Sequence, residues 1–323
     1  MGLRAGIGHQ IRMWAKATLP DSVLDKARRS LRYFRSSRRV ARLKRMPPVE
    51  LNRLIEDLRT GGIGPGEVVM VHSSLWRVGN VVGGADTVIK SLLEVLTPEG
   101  TVMMPAYNSV DGVIKGMKRG RIIDLRTSSS ATGKVTETFR PWPGVLRSSH
   151  PFSSVCAWGK QAEYVTDGHA QQPRVCHTHS PVGRLVELQG RVVGLGVSIK
   201  IGAVSHYLED TWDEFPFEVH SENFPVTYID ASGSRCSRDV CRFDPKVSRT
   251  RIDRPGGKWI RERLTEHLTR KGILKRFRYG ETDSWVMEVP ELMEELKRLI
   301  RKGVTMYLTK DQLTGENRDI GSW

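Results

Sequence analysis

The 323-residue chain is 38% hydrophobic, contains four cysteines and carries a formal net charge of +15. It has no run of 18 apolar residues, which excludes an ordinary transmembrane helix, and so few cysteines do not form a disulfide framework. We therefore expect a globular α/β protein of the reducing cytoplasm.

The positive charge is concentrated at the N-terminus. Residues 1–46 hold 13 Lys and Arg against two Asp, so they carry +11 and residues 47–323 carry only +4. This distribution disfavours nucleic-acid binding by the body of the chain. We interpret 1–46 as a basic leader and 47–323 as the folded domain. Three interpretations of the leader stay open: an interfacial helix in peripheral contact with the inner membrane face, a solvated basic tail, or a packing helix.

The first part of the domain has the pattern of a βαβ unit. Apolar spacing predicts a helix over 49–60 and a buried strand over 67–72. A helix over 85–96 and a strand over 101–105 follow, with Gly and Pro residues at the turns between them. This order and length are typical of two parallel strands joined by a crossover helix.

The remainder of the chain is less regular. Residues 108–135 lack periodicity and predict a long loop. The further predicted elements are strands over 155–158 and 191–197, a short helix around His206, a hairpin insertion within 217–255 and an amphipathic helix over 290–302.

Three sequence blocks carry a resemblance to a known family. They are Val71-His72-Ser73-Ser74-Leu75 with Val81-Val82-Gly83-Gly84; Arg147-Ser148-Ser149-His150-Pro151; and Ser180-Pro181-Val182-Gly183-Arg184-Leu185 with His206 and Glu209. Their order, spacing and identities resemble the aminoglycoside 3-N-acetyltransferase family over about residues 50–310. The resemblance implies an α/β domain with a central mixed sheet flanked by helices, not the GNAT fold. It also implies acyl transfer from coenzyme A to an amine.

The resemblance implies acetyl-CoA, or another acyl-CoA, as co-substrate and no metal. Serines and glycines between a strand and a helix N-terminus offer N–H groups and hydroxyls to a phosphate or a pantetheine amide. The alternative is that the glycines only build the turn. The predicted cofactor contacts are His72, Ser73, Ser74, Leu75, Gly83, Gly84, Arg147 and Ser148.

The predicted catalytic pair is His206 and Glu209, which are three residues apart and share a helix face. The family's His-x-x-Glu maps onto them, which implies that His206 is the general base for the acceptor amine. Glu209 then holds the imidazole or attracts the amine. The residues predicted to bind the acceptor are His150, Lys200 and Tyr107.

The segment before His206 departs from the family. Antibiotic-modifying members carry a polar run of the Gly-His-Asp-Ser-Asn-Thr type, where this chain reads Ser198-Ile199-Lys200-Ile201-Gly202-Ala203. Because Lys200 would repel a polycationic aminoglycoside, we expect an anionic acceptor such as a nucleotide-linked amino sugar. The alternative acceptor is an aminoglycoside antibiotic. The oligomeric state stays open, a homodimer included.

Four rival interpretations are disfavoured. The Arg-x-x-Gly-x-Gly pattern of 191–196 lies in an apolar strand, without the helix that this acetyltransferase motif needs. The Cys and His residues lack the paired spacing of a structural zinc site. An acyl-enzyme at Ser73 or Ser74 lacks the Gly-x-Ser-x-Gly elbow. If the chain were a non-catalytic module that binds nucleic acid or a membrane surface, the three sequence blocks would have no role.

Overall fold

The computed structural model describes residues 41–199, 202–254 and 257–313. The chain divides into two compact units, residues 1–48 and 49–323. Only residues 41–48 of the first unit are described, so most of the predicted leader and its three interpretations lie outside the described residues. Among the helices in the described ranges, none is both long and apolar enough to cross a membrane.

The second unit is built around a seven-stranded mixed sheet. The strands in chain order are β1 Pro48–Val49, β2 Val68–Ser73, β3 Asn80–Val81, β4 Thr101–Pro105, β5 Ile123–Asp124, β6 Leu146–Arg147, β7 Val155–Gly159, β8 Arg191–Leu195, β9 Phe224–Ile229, β10 Arg235–Val240, β11 Leu274–Tyr279 and β12 Thr282–Glu288. The large sheet has the order β11-β12-β8-β2-β4-β7-β6. Strand β2 pairs in parallel with β4 and β8, and the other neighbours are antiparallel.

Helices cover both faces of this sheet. They are α1 Leu51–Thr60, α2 Leu75–Val78, α3 Ala85–Leu96, α4 Val110–Met117, α5 Lys134–Phe139, α6 Ala162–Thr166, α7 Pro181–Glu187, α8 Gly202–Thr211, α9 Lys258–Arg270 and α10 Val289–Arg301. Because side chains alternate along a strand, Val69 and Val71 pack in one core with α1, α3 and α5, while Met70 packs in the other with α7 to α10. The predicted mixed sheet flanked by helices is confirmed.

The βαβ unit agrees closely with its prediction: the bounds of α3 and β4 are the predicted ones, and β2 is shifted by one residue. The prediction of an unbroken loop over 108–135 is wrong. That segment contains α4 and β5, and α5 begins at its end. Helix α4 begins after Ser109, whose side chain accepts a hydrogen bond from the Gly112 N–H at 3.2 Å. This cap and the buried Val113 stabilise a helix that the polar composition concealed.

The predicted hairpin insertion is present as the antiparallel pair β9 and β10. Strand β5 joins it in parallel and completes a three-stranded sheet with a small core of its own. The pairing of β5 with β9 connects residues about 100 positions apart, which local sequence patterns do not encode. Strands β11 and β12 and helix α9 were also not predicted, because charged residues interrupt their apolar patterns.

Gly194 of β8 lies directly beneath the indole of Trp285, its pairing partner on β12. A Cβ atom at Gly194 would stand 2.0 Å from a Trp285 ring carbon. We therefore expect Gly194→Ala to lower the free energy of unfolding by about 1–3 kcal/mol, the usual cost of overpacking a core. Urea denaturation measures this change. The matched control is Gly64→Ala, where a Cβ meets no atom within 4 Å, and equal stability of the two variants would contradict the prediction.

Candidate active site

A cavity of about 460 Å³ opens at the carboxyl ends of the three parallel strands. Since β8, β2 and β4 run in one direction, their last residues, Leu195, Ser73 and Pro105, lie at the same sheet edge. Strand β2 lies between β4 and β8, and the chain continues from β2 to β4 on one side only. The loops that follow neighbouring strands then diverge, which leaves a crevice between them at the end of β2. The described residues lining it are Val71, His72, Ser73, Pro105, Tyr107, Ala131, Thr132, Thr136, Val197, His206, Arg251 and Asp253.

Helix α8 brings His206 to this cavity with a carboxylate behind it. The imidazole Nδ1 is hydrogen-bonded to Oε2 of Glu209, one helical turn later. The His206 side chain is 15% exposed, whereas the Glu209 side chain is fully buried. The three-residue spacing therefore places both residues on one helix face. His206 faces the cavity, and Glu209 lies behind it.

Two residues from distant segments hold the buried carboxylate. The Tyr307 hydroxyl donates to Glu209 Oε2 at 3.0 Å, and an Arg251 Nη2 lies 3.5 Å from Oε1. Arg251 also donates to the Tyr307 oxygen at 3.2 Å and to the Ser205 hydroxyl at 2.9 Å. These contacts offset the large cost of burying an ionised carboxylate.

A backbone contact brings the two segments together, since the N–H of Ile252 donates to the carbonyl of Met306 at 2.8 Å. Neither Arg251 nor Tyr307 was found from the sequence. Each is a single residue in a stretch without a motif, and only the folded chain shows that both reach Glu209. Arg251 is 97% buried, which is rare for an arginine and marks it as important. This burial is known only from the folded structure.

The ring of Phe243 packs against His206. It stacks on His206 with a centroid distance of 3.9 Å and an interplanar angle of 26°. The same ring contacts His220 at 4.7 Å, and His220 Nε2 lies 3.0 Å from Asp210 Oδ1. Phe243 thereby limits the rotation of the imidazole and shields one of its faces from water.

The electrostatics keep His206 neutral. Burial lowers its pKa below the ordinary 6.5 and the Arg251 charge lowers it further, which outweighs the opposite effect of Glu209. Burial alone would raise the pKa of Glu209, but the contacts with His206, Arg251 and Tyr307 outweigh burial and lower it. An ionised Glu209 can only accept, so Nδ1 carries the hydrogen and Nε2 has the lone pair. The arrangement can take a proton from a group bound in the cavity.

The structure places some predicted cofactor and acceptor residues at the cavity and others away from it. His72, Ser73 and Tyr107 line it together with His206. Ser74 precedes α2 and Leu75 is its first residue, while Gly83 and Gly84 precede α3 with φ of 77° and 64°. Among the described lining residues these four do not occur. Lys200 lies outside the described residues.

The side chains of the turn that contains Arg147, Ser148 and His150 form hydrogen bonds with other groups of the protein. Arg147 donates to three carbonyls, those of Leu125, Ser128 and Ala106, and to the Ser154 hydroxyl. Ser148 is fully buried and accepts from the Val155 N–H at 2.8 Å. The contacts of both residues are structural, so a phosphate contact for them stays a sequence prediction only.

His150 is buried in the same turn. Its Nδ1 accepts the N–H groups of Phe152 and Ser153 at 3.2 and 3.1 Å. Burial lowers the pKa of His150 to about 3, so its imidazole is neutral at pH 7. It is not among the described residues that line the cavity, and its predicted acceptor contact remains a prediction from the sequence. No group of three or more His, Cys, Asp or Glu suited to a metal ion occurs within the described ranges.

The protonation of His206 can be measured without a substrate. We expect NMR titration of protein labelled at the histidine ring carbons to give His206 a pKa below 6.5, because burial and Arg251 both disfavour the imidazolium. Glu209→Gln should lower it further, because the carboxylate that favours the proton is removed. Tyr307→Phe keeps that charge and serves as the control. A His206 pKa above 6.5 in the unaltered protein would contradict these electrostatics.

Comparison with known proteins defines the class. A family model described as aminoglycoside 3-N-acetyltransferase matches residues 70–301. Aminoglycoside N(3)-acetyltransferase VII of Streptomyces paromomycinus is 34% identical over 270 residues, which cover 79% of this chain and 93% of the relative. Aminoglycoside N(3)-acetyltransferase IX of Micromonospora chalcea is 28% identical over 263 residues, which cover 75% and 89%. The protein is of the N-acetyltransferase class, as predicted.

The fold agrees with this class. The solved structure of AAC-IIIb in binary complex with CoASH matches with a TM-score of 0.66 and 24% identity, over 78% of this chain and 98% of that one. The chain belongs to the aminoglycoside 3-N-acetyltransferase family, and the predicted membership is confirmed.

Proposed function

We propose that the protein transfers an acetyl group from acetyl-CoA to an amino group of an aminoglycoside, with His206 as general base. The observation that carries the proposal is the position of His206, which lines the cavity while its Nδ1 is bound to the buried Glu209. We assign this activity to residues 47–323, which contain every residue of the described site. The names of the relatives and the CoASH in AAC-IIIb support the donor and the acceptor.

The chemistry follows from the neutral imidazole. His206 Nε2 takes one proton from the acceptor ammonium, and the resulting amine attacks the thioester carbonyl carbon. The carbon–sulfur bond then breaks, and the surplus proton on nitrogen passes to the departing thiolate. The products are the amide, CoA as a thiol and a protonated His206, which returns its proton to solvent. Glu209 stabilises the imidazolium that forms between these steps.

The acceptor preference is opposite to the one expected from Lys200. The comparisons favour the alternative, an aminoglycoside, over a nucleotide-linked amino sugar. The described charges around His206 balance, because Glu209 and Asp253 lie beside Arg251, and Arg254 lies 3.8 Å from Asp253. With His206 neutral, these groups leave no excess of positive charge that would favour an anionic acceptor.

Removal of the base gives a direct test. His206→Ala should lower turnover by about two to four orders of magnitude, the usual contribution of a general base. Thiol release from acetyl-CoA in the presence of an aminoglycoside measures this rate. The matched control is His179→Ala, since that histidine is exposed and does not line the cavity. A loss below about threefold for His206→Ala would rule out this role.

The acceptor is tested by a thiol-release screen. We expect turnover with kanamycin-type aminoglycosides and none with nucleotide-linked amino sugars, because the most similar relatives reported above are named aminoglycoside N(3)-acetyltransferases. Steady-state rates at equal acceptor concentrations give the comparison. A higher kcat/KM with the nucleotide-linked sugars would overturn the proposed acceptor and would restore the expectation based on Lys200.

A further inference from the structure

A closed series of contacts begins and ends on helix α8. It starts at His206, whose imidazole stacks on the ring of Phe243 with 3.9 Å between the ring centroids. The same phenyl ring contacts His220, whose ring centroid lies 4.7 Å away at an interplanar angle of 33°. His220 Nε2 lies 3.0 Å from Oδ1 of Asp210, which is four residues after His206 on the same helix. We call the three rings of His206, Phe243 and His220 the ring stack.

The backbone holds the two outer members of the ring stack together. His220 and Phe243 face each other in an antiparallel bridge. Backbone hydrogen bonds of 2.9 Å lie on both sides of this bridge and connect residues 219–221 with residues 242–244. The phenyl ring is therefore presented to His206 from a paired segment of backbone.

The ring of His220 is fixed at both of its nitrogens. Its side chain is 2% exposed, and its Nδ1 lies 2.9 Å from Oε1 of Glu218, opposite the contact with Asp210. Asp210 is held in turn, because its Oδ2 accepts the N–H of Cys176 at 2.7 Å. Burial alone would lower the pKa of His220, but its contacts with Asp210 and Glu218 outweigh burial and raise it. An imidazolium donates from both nitrogens, which suits a histidine placed between two carboxylates.

The hydrogen bond to Glu209 does not by itself fix the orientation of His206. It holds one edge of the imidazole at Nδ1, and the torsion about the Cβ–Cγ bond of histidine has a broad energy profile. Phe243 contacts the face of the ring, so it restricts the plane that the hydrogen bond leaves adjustable. The two contacts together determine the direction of the Nε2 lone pair. This direction matters, since a displacement of about 1 Å can cost about a hundredfold in rate.

We propose that Phe243 and His220 are positioning residues, which hold the imidazole plane of His206 so that its Nε2 points into the cavity. The inference rests on the proposed function, because it concerns the same base. Among the described lining residues of the cavity neither Phe243 nor His220 occurs, so both act through His206 and not on a substrate.

Nitrogen-15 NMR of the His206 ring tests the positioning without any substrate. Above the pKa of His206, the unaltered protein should show a hydrogen-bearing Nδ1 and an Nε2 with a lone pair, which have well-separated shifts. In Phe243→Leu the two shifts should approach each other, because a loosened ring exchanges between tautomers. The charged groups that face His206, namely Glu209, Asp210 and Arg251, are the same in this variant. Unchanged shifts would overturn the proposal.

Steady-state kinetics with acetyl-CoA and an aminoglycoside give a second measurement. Phe243→Leu and His220→Gln should each lower kcat by at least about tenfold, because the base is no longer held in its reactive orientation. The KM for acetyl-CoA should stay within about twofold, because neither substitution alters the cavity lining. Phe243→Tyr keeps an aromatic face and should recover most of the lost rate. A raised KM with an unchanged kcat contradicts a positioning role.

The matched control is Phe224→Leu. Phe224 is also half-buried, and its ring packs on Phe152 at 6.0 Å in the core of the three-stranded sheet. Its kcat should stay within about twofold of the unaltered protein. A loss equal to that in Phe243→Leu would show a general effect of removing a phenyl ring and would overturn the proposal.

The outcomes separate this inference from the proposed function. Altered ring shifts in Phe243→Leu, without turnover of any aminoglycoside by the unaltered protein, support the positioning and overturn only the proposed function. Unchanged shifts and an unchanged kcat overturn the positioning and leave the proposed function in place. Should Phe243→Leu fail to fold, as seen by circular dichroism, His220→Gln carries the same test, and unchanged His206 shifts in that variant overturn the proposal.

Discussion

The burial of one carboxylate, that of Glu209, is the constraint on which the site depends. An ionised carboxylate without partners in a protein interior costs several kcal/mol, so its surroundings must supply compensating groups. His206, Arg251 and Tyr307 provide them, and each is fixed in orientation by doing so. The carboxylate thus orients His206, selects its tautomer and connects α8 to two distant loops through one set of contacts.

The sheet explains why these loops meet. Parallel strands β8, β2 and β4 end together, and the segments that follow them form the floor of the cavity. Helix α8, which carries His206, packs in the same core as α9 and α10, and Arg251 and Tyr307 lie close to these two helices in the chain. The site is therefore formed by the strand ends together with the helical layer of α7 to α10. The other layer, which contains α1, α3 and α5, packs on the opposite face of the sheet.

Local sequence patterns predicted the parts of the molecule that depend on local physics. The spacing of Leu and Val residues predicted α3, and His-x-x-Glu predicted that His206 and Glu209 contact each other on one helix face. Contacts between distant residues could not be read in this way, and Arg251 and Tyr307 are the clearest cases. Arg147 shows another limit: a basic residue among serines suggests a phosphate site, and the sequence does not reveal that its guanidinium donates to three backbone carbonyls. The prediction of an anionic acceptor depended on the single charge of Lys200, whereas the described site contains several charged residues.

Tyr307 follows α10 closely in the chain, and the buried face of α10 packs in the main core. Its hydroxyl therefore links the stability of α10 to the hydrogen bonding of Glu209. Partial detachment of α10, well before global unfolding, would withdraw a hydrogen-bond donor from Glu209 and admit water beside it. The packing of α10 against the main core therefore also protects the hydrogen bonds around Glu209, although no residue of α10 lines the cavity among those described.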